Sequence, residues 1–204
     1  MTARSDRDRL LKELRPFVSD ARVLAAVRDV PRERFVPPEL ADEAWENMPL
    51  PIGEGQTISQ PLVVARMCEL LELDGDERVL DVGTGSGYHA ALLARLSRHV
   101  WSIERHASLS AQAARNLAAA GVQNVTLFVG DGSHGLAEEA PFDAINVAAA
   151  AGAAVPRALE DQLATGGRLV APVSDGEQRL VVVRRADGDV VRTSLERVRF
   201  VPLV

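Results

Sequence analysis

Residues 79–88, Val-Leu-Asp-Val-Gly-Thr-Gly-Ser-Gly-Tyr, constrain the fold of this chain more than any other stretch. Residues 79–82 read as a short, fully buried strand, the glycines as a tight turn, and residues 88–96 as a helix. A strand–glycine–helix unit brings backbone N–H groups and the positive end of a helix close to a ligand, which suits a nucleotide-like cofactor. A dinucleotide fingerprint needs G-x-G-x-x-G. After Gly83 and Gly85 its third glycine would fall on Tyr88, so a nicotinamide dehydrogenase fits poorly. The run is instead D-x-G-x-G-x-G, with Asp81 ahead of the first glycine.

The rest of the chain alternates in the way such a unit requires. Strands are expected over 100–103, ending at Glu104, over 125–129, ending in Gly130-Asp131-Gly132, and over 142–147 and 168–173. Helices are expected over 108–119, closed by Gly121, and over 155–163, with Gly166-Gly167 as the turn into the fifth strand. Residues 180–184 and 190–198 read as an antiparallel pair joined by the Asp187-Gly188 turn. Ahead of the sheet, Ser5 and Asp8 mark a helix start, followed by the stripe Leu10, Leu11, Leu14 and Val18. A second helix over 23–30 stops at Pro31, residues 32–38 form an irregular turn, and a third helix covers 61–73 with Cys68 as a core filler. The expected fold is α/β: a doubly wound, Rossmann-like, mostly parallel sheet with helices on both faces, an antiparallel C-terminal strand pair and a helical N-terminal lead-in. It forms one domain over 1–204, with lead-in and substrate loop over 1–75 and cofactor-binding sheet over 76–204. The 204 residues suffice for one core, and 47% apolar with 25% charged residues is an ordinary globular mix. A net charge of −6 argues against a surface for nucleic acid or anionic lipid. Cys68 is the only cysteine, so no intramolecular disulfide can form and a reducing compartment is expected. No segment has the length and apolarity of a membrane span, and the start of the chain is too charged for a signal peptide, so a cytoplasmic location is expected.

Ligands of such sheets bind at the C-terminal strand edges. Three acids fall there: Asp81, Glu104 and Asp131. Glu104 can accept both hydroxyls of a ribose, Asp131 an exocyclic amine or a backbone donor, and Asp81 can hold an ammonium directly or through water. Any one of them would equally suit a helix cap or solvent; the three in this order beside the glycine turn point to a ligand. Residues 49–61, Pro-Leu-Pro-Ile-Gly-Glu-Gly-Gln-Thr-Ile-Ser-Gln-Pro, form a stiffened polar loop. It can serve as a ligand lid, as a surface loop whose Ser59 caps the following helix, or as both. The four histidines, His89, His99, His106 and His134, lack metal-ligand spacing, so no metal site is expected, and His134 reads as a solvent-facing turn residue.

The D-x-G-x-G-x-G form resembles the first motif of S-adenosylmethionine-dependent methyltransferases. Residues 30–37, Val-Pro-Arg-Glu-Arg-Phe-Val-Pro, resemble a signature of the protein-L-isoaspartate O-methyltransferase family. So do Pro49-Leu-Pro-Ile-Gly53, Gly55-Gln-Thr-Ile-Ser-Gln-Pro61, Gly130-Asp-Gly132, Pro141-Phe-Asp143, Gln162-Leu163 with Gly166-Gly-Arg-Leu-Val170, and Phe200-Val-Pro-Leu203. The resemblance runs from about Val23 onward, and the Gly-Gln-Thr-Ile-Ser loop is its most specific part. It implies transfer of a methyl group from S-adenosylmethionine to the α-carboxylate of L-isoaspartyl residues in damaged proteins and peptides. The ester then recloses to a succinimide and repair begins. It implies Ser59 as the active-site residue, orienting the acceptor carboxylate rather than attacking. It implies cofactor contacts at Gln56, Thr57, Ile58, Asp81, Gly83, Gly85, Ser86, Gly87, Glu104, Arg105, Asp131 and Gly132. A monomer acting on isoaspartyl polypeptides, without nucleic acid or membrane partners, is the family expectation. The chain departs from the pattern at Asn146 and Ala148, where an apolar residue and Thr are more usual. That bears on acceptor orientation, and small residues 149–154 imply a roomier wall. The chain stops at Val204, so no tail beyond it is expected. Two alternatives stay open: an aspartyl methyltransferase dedicated to one precursor peptide, and a non-catalytic module binding S-adenosylmethionine.

Overall fold

This computed structural model describes residues 3–186 and 188–203; Asp187 of the expected turn, Met1 at the charged start and Val204 lie outside them. The sheet forms around the buried strand β3 (Arg78–Val82), with β4 (His99–Glu104) and β5 (Val125–Val129) on one side. On the other side lie β6 (Phe142–Val147), β7 (Leu163–Asp175), β8 (Glu177–Ala186) and β9 (Asp189–Arg197). Its order is β5-β4-β3-β6-β7-β8-β9, parallel as far as β7 and antiparallel from β7 to β9. The chain moves outward from β3 to β5 and then crosses back to β6, so the strand order reverses between β3 and β6. The crevice of a doubly wound sheet opens at that reversal.

The strands' two-residue alternation divides the core into two layers. Leu80, Val82, Ile145 and Val147 face one layer, and Val79 and Ala144 face the other. The second layer is covered by α1 (Ala3–Leu14), α2 (Ala21–Asp29), α3 (Pro61–Leu70) and α4 (Tyr88–Leu96). Leu10 and Leu14 of α1 join Val79 and Val170 of the sheet in one buried cluster, so the N-terminal segment packs into the sheet's own core. Helix α5 (Ala107–Ala119) adds Leu117 to that layer, while α6 (Arg157–Asp161) brings Leu159 to the opposite face. α2 starts where the Asp20 carboxylate accepts from the Arg22 N–H at 2.7 Å and ends before Pro31.

Several boundaries differ from the sequence reading. Residues 49–61 are not an open loop: β1 (Leu50–Gly53) and β2 (Gln56–Ile58) pair as an antiparallel hairpin. Its turn carries positive φ at Gly53, Glu54 and Gly55, and a bulge between Pro51 and Gly53 takes up Ile52. Gln60, not Ser59, precedes α3, and no side chain caps that helix. Residues 32–38 wind into a 3-10 turn at Arg32–Phe35, with a second at Pro38–Glu43. α6 is shorter than expected because Pro156 sets its start and β7 begins at Leu163, where the bulge opposite Phe142 and Ala144 takes up Gly166-Gly167.

Candidate active site

The glycine turn lies at the C-terminal end of β3, its backbone held to β4 by the Gly83 N–H donating to the Ile103 carbonyl at 2.9 Å. Gly83 and Gly85 line a cleft whose opposite side is Gln56 and Thr57 from the β1–β2 hairpin. Glu104 and Arg105 close it from the end of β4, Gly132 from the turn after β5, and residues 201–203 from the C-terminal segment. At Gly132 the approach is close: a Cβ there would lie 2.5 Å from Val82 Cγ1, so that side chain would have to shift.

Glu104 is buried and doubly anchored: one carboxylate oxygen accepts from the Gly85 N–H at 2.9 Å and the other from the His106 N–H at 3.0 Å. Each oxygen keeps a lone pair, so the fixed carboxylate suits a vicinal diol. Together with the backbone of the turn, this donor and acceptor set fits the ribose and the polar chain of an adenosyl amino acid. The cleft is narrow, with about 70 Å³ of room for water inside an open volume of about 580 Å³. A nucleoside-sized ligand needs roughly 300 Å³ or more. The open volume is of that order, and the cleft adjoins a second one across Thr57, Ala148 and Val201.

Five residues expected at the cofactor do not line this cleft. Ile58 is buried in the core. The Ser86 carbonyl accepts from Asn116 Nδ2 at 2.9 Å, and Gly87 is the left-handed residue that starts α4. Asp131 caps the 3-10 turn Gly132–His134 by accepting from the Ser133 N–H at 2.9 Å. Hydrogen bonds from Ser133, with His134 and Arg105 nearby, hold its carboxyl below the usual range. His134 is mostly exposed and faces Asp131, as a turn residue should.

Asp81 corrects the expectation most. It is wholly buried and faces α4 rather than the cleft. In the sheet register it pairs with Ser102 on one side and Asn146 on the other. Its two oxygens accept from Ser102 Oγ at 2.7 Å and from Asn146 Nδ2 at 2.7 Å. Asn146 Nδ2 also lies 3.2 Å from His89 Nδ1, and Ser102 Oγ is 2.6 Å from Thr84 Oγ1 in the glycine turn. The polar chain thus runs from the turn, across three strands, to α4. Burial pushes the Asp81 carboxyl up to about 6, and it pushes His89 down to about 3. Asn146 therefore does not face the acceptor, whereas Ala148 does line the cleft.

A second cleft of about 380 Å³ adjoins the first and contains Ser59. Thr57, Ala148 and Val201 form walls of both, so contents of the two clefts meet there. Among the described residues the Ser59 hydroxyl has no hydrogen-bond partner, while its carbonyl accepts from Arg32 Nη2 at 2.9 Å. Sequence reasoning missed Arg32. Fully buried, it also donates from Nε to the Ala44 carbonyl at 2.8 Å and stacks 4.7 Å above the Tyr88 ring. Burial lowers its guanidinium to about 10, so it stays charged at neutral pH. The sequence carries Arg32, Glu33 and Arg34 in a row between Pro31 and Phe35, and nothing in that run says which of the three is buried. At the mouth of the cleft Arg197 pairs with Glu177 at 2.8 Å, and Arg199 has no carboxylate partner among the described residues. Among those residues no group of three or more His, Cys, Asp or Glu could hold a metal, and no helix is long and apolar enough to cross a membrane.

A doubly wound sheet with a glycine turn, a ribose-suited acid on the next strand and an adjoining acceptor cleft defines an S-adenosylmethionine-dependent methyltransferase. Comparison with known proteins narrows the class. Residues 5–204 match the family model described as protein-L-isoaspartate(D-aspartate) O-methyltransferase. A Marinobacter nauticus protein named protein-L-isoaspartate O-methyltransferase 2 is 55% identical over 92% of this chain and 86% of its own. A solved protein-L-isoaspartate O-methyltransferase superposes with a TM-score of 0.85 at 29% identity, covering 96% of this chain and 65% of that one. A Plasmodium falciparum protein of the same description, in complex with S-adenosyl-L-homocysteine, gives 0.83 at 28% identity over 96% and 97% of the two chains. The chain belongs to the protein-L-isoaspartate(D-aspartate) O-methyltransferase family, and is an S-adenosylmethionine-dependent enzyme of that family.

Proposed function

We propose that this chain methylates the α-carboxylate of L-isoaspartyl residues in damaged polypeptides by holding donor and acceptor in two clefts that meet at Thr57, Ala148 and Val201. The observation that carries this is the unpartnered Ser59 hydroxyl in the cleft adjoining the glycine turn. When bound, S-adenosylmethionine supplies a sulfonium methyl that is already electrophilic. The acceptor carboxylate, with a pKa of about 4, is ionised at neutral pH, so the protein need not supply a general base. Among the described residues neither His nor Lys lines the Ser59 cleft. Ser59 donates to one oxygen of the acceptor and leaves the other to attack. Arg199 draws the anion in, and Arg32 fixes the Ser59 backbone. Glu104 accepts from the ribose hydroxyls, with Gly83, Gly85, Arg105, Gln56, Thr57 and Gly132 shaping the donor cleft. Val82, Ile103 and Leu203 keep water from the reacting pair, which is uncharged after transfer and so gains from dry walls.

The enzyme works in the cytoplasm on proteins and peptides, as a monomer by family expectation; the net charge of −6 argues against nucleic acid or anionic lipid as a partner, and the single, buried Cys68 fits a reducing compartment. A Ser59→Ala variant should bind S-adenosylmethionine like the wild type but turn over an isoaspartyl peptide about ten- to a hundredfold more slowly, the worth of one hydrogen bond to a charged group. Full turnover in that variant, or wild-type preference for the matching aspartyl peptide, would overthrow the assignment. The latter result would favour a dedicated precursor peptide.

A further inference from the structure

We propose that the acceptor cleft continues into an apolar subsite on the α1–α3–β9 side, which takes a hydrophobic side chain of the substrate polypeptide flanking the isoaspartyl residue. The inference rests on the isoaspartyl reading above. A hollow of about 500 Å³ adjoins the Ser59 cleft, and Gln60, Val63, Arg197 and Val198 belong to the walls of both. A polypeptide with its reacting residue at Ser59 therefore has a continuous path along α3 and β9. Beyond the shared walls the hollow is lined by the apolar Leu62, Leu180 and Phe17 and by Arg66 and Glu196, whose charges are paired with each other.

Phe17 is the observation that separates this hollow from an ordinary surface dent. It is 60% exposed, and among the described residues it is the only aromatic ring among the large hydrophobics left so open. The segment that carries it is tethered. The Phe17 N–H donates to the Leu14 carbonyl at 2.9 Å, and the Phe17 carbonyl accepts from Arg66 Nη1 at 3.4 Å. Arg66 also pairs with Glu69 on its own helix and reaches Glu196 of β9 at 3.0 Å. One guanidinium thus ties the end of α1, α3 and β9 into a frame around the hollow. With the backbone beneath it tethered, the exposed ring offers apolar surface at a fixed point of the fold, and a ligand side chain packed on it gains by burial.

The test uses the full-length enzyme and isoaspartyl peptides. A parent peptide carries only Gly and Ala around the isoaspartyl residue, and in its relatives a Phe is walked one position at a time to either side. At one register we expect kcat/KM to rise about tenfold over the parent, through KM rather than kcat. Phe17→Ser should abolish that gain and leave the parent peptide's kinetics at wild-type values; the residue is exposed, so the variant folds. Phe17→Leu should keep part of the gain. An activity indifferent to the position of Phe, or a gain that survives both Phe17→Ser and Val198→Ser, would overturn the subsite while leaving the isoaspartyl reading intact. A wild type that methylates none of these peptides would overturn both.

Discussion

Replacing Asp81 with Asn should make the enzyme more stable at neutral pH and not at acid pH. The side chain is fully buried, and burial raises its carboxyl from 3.8 to about 6; Asn146 and Ser102 counter the rise by hydrogen bonding, and the Glu104 charge adds to it. The folded state therefore holds this proton more tightly than the unfolded chain does. As pH climbs through that interval the unfolded chain ionises first, and the folded state loses ground until the folded carboxyl has ionised too. The interval between those two pKa values corresponds to about 3 kcal/mol. Asparagine mimics the protonated acid: its carbonyl oxygen can accept from Asn146 and its amide can donate to Ser102 Oγ. The Ser102 hydroxyl then remains able to bond Thr84, 2.6 Å away. At pH 7.5 the variant should gain up to about 3 kcal/mol, or roughly 6–12 °C in Tm for a chain of this size; near pH 4 it should gain almost nothing. His89 sets an opposite background. Its ring, held near 3 by burial, stays neutral in the fold while the unfolded ring protonates below about 6.5, so acid weakens both proteins alike. Urea unfolding of both proteins across pH 4–8 gives the difference curve, in which His89 cancels. A difference that does not change with pH would refute an isolated, ionised Asp81. The same variant should bind S-adenosylmethionine less tightly, because it removes a buried negative charge from beneath the turn that receives a cationic ligand.

Arg32→Met should cost about 2–4 kcal/mol in urea unfolding, because the Ala44 and Ser59 carbonyls both lose a buried donor. It should also lower kcat/KM for an isoaspartyl peptide more than it lowers affinity for S-adenosylmethionine, with Arg32→Lys intermediate. Gly132→Ala places a Cβ 2.5 Å from Val82 Cγ1 and 3.2 Å from Ile103 Cγ2. It should destabilise by about 1–3 kcal/mol and weaken cofactor binding measured by calorimetry, with Val82→Ala in the same chain restoring part of both.

The sheet was legible because β3, β5, β6 and β7 hold short apolar runs with a glycine or proline at one end, and helices fill most of the intervals. Strand ends were legible for the same reason, which is why Gly83, Gly85, Glu104, Arg105 and Gly132 converge on one cleft as the sequence reading requires. The hairpin at 50–58 was hidden because Pro49 and Pro51 read as loop punctuation, whereas an edge hairpin tolerates proline where no ladder donor is needed. Ser86 and Gly87 sit inside the motif at the start of α4, where the Ser86 carbonyl accepts from Asn116 and Gly87 takes the left-handed conformation.

Facing was the part that sequence could not supply. Asp81 lies one residue short of the strand's end, so the two-residue alternation turns it away from the crevice and onto the α4 side with Val79. Asn146 reads along the chain as a polar intruder near the acceptor, 65 residues from Asp81. Only the β3–β6 register makes the two neighbours, and that register comes from packing both strands' apolar partners, Leu80 and Val82 with Ile145 and Val147, into the opposite layer. Once those four side chains are buried on one face, Asp81 and Asn146 have no choice but to meet on the other. A polar departure from the family pattern at 146 is thus matched to the acid of the glycine motif, and it should be read as part of the support beneath the donor cleft rather than as a change in what the acceptor cleft recognises.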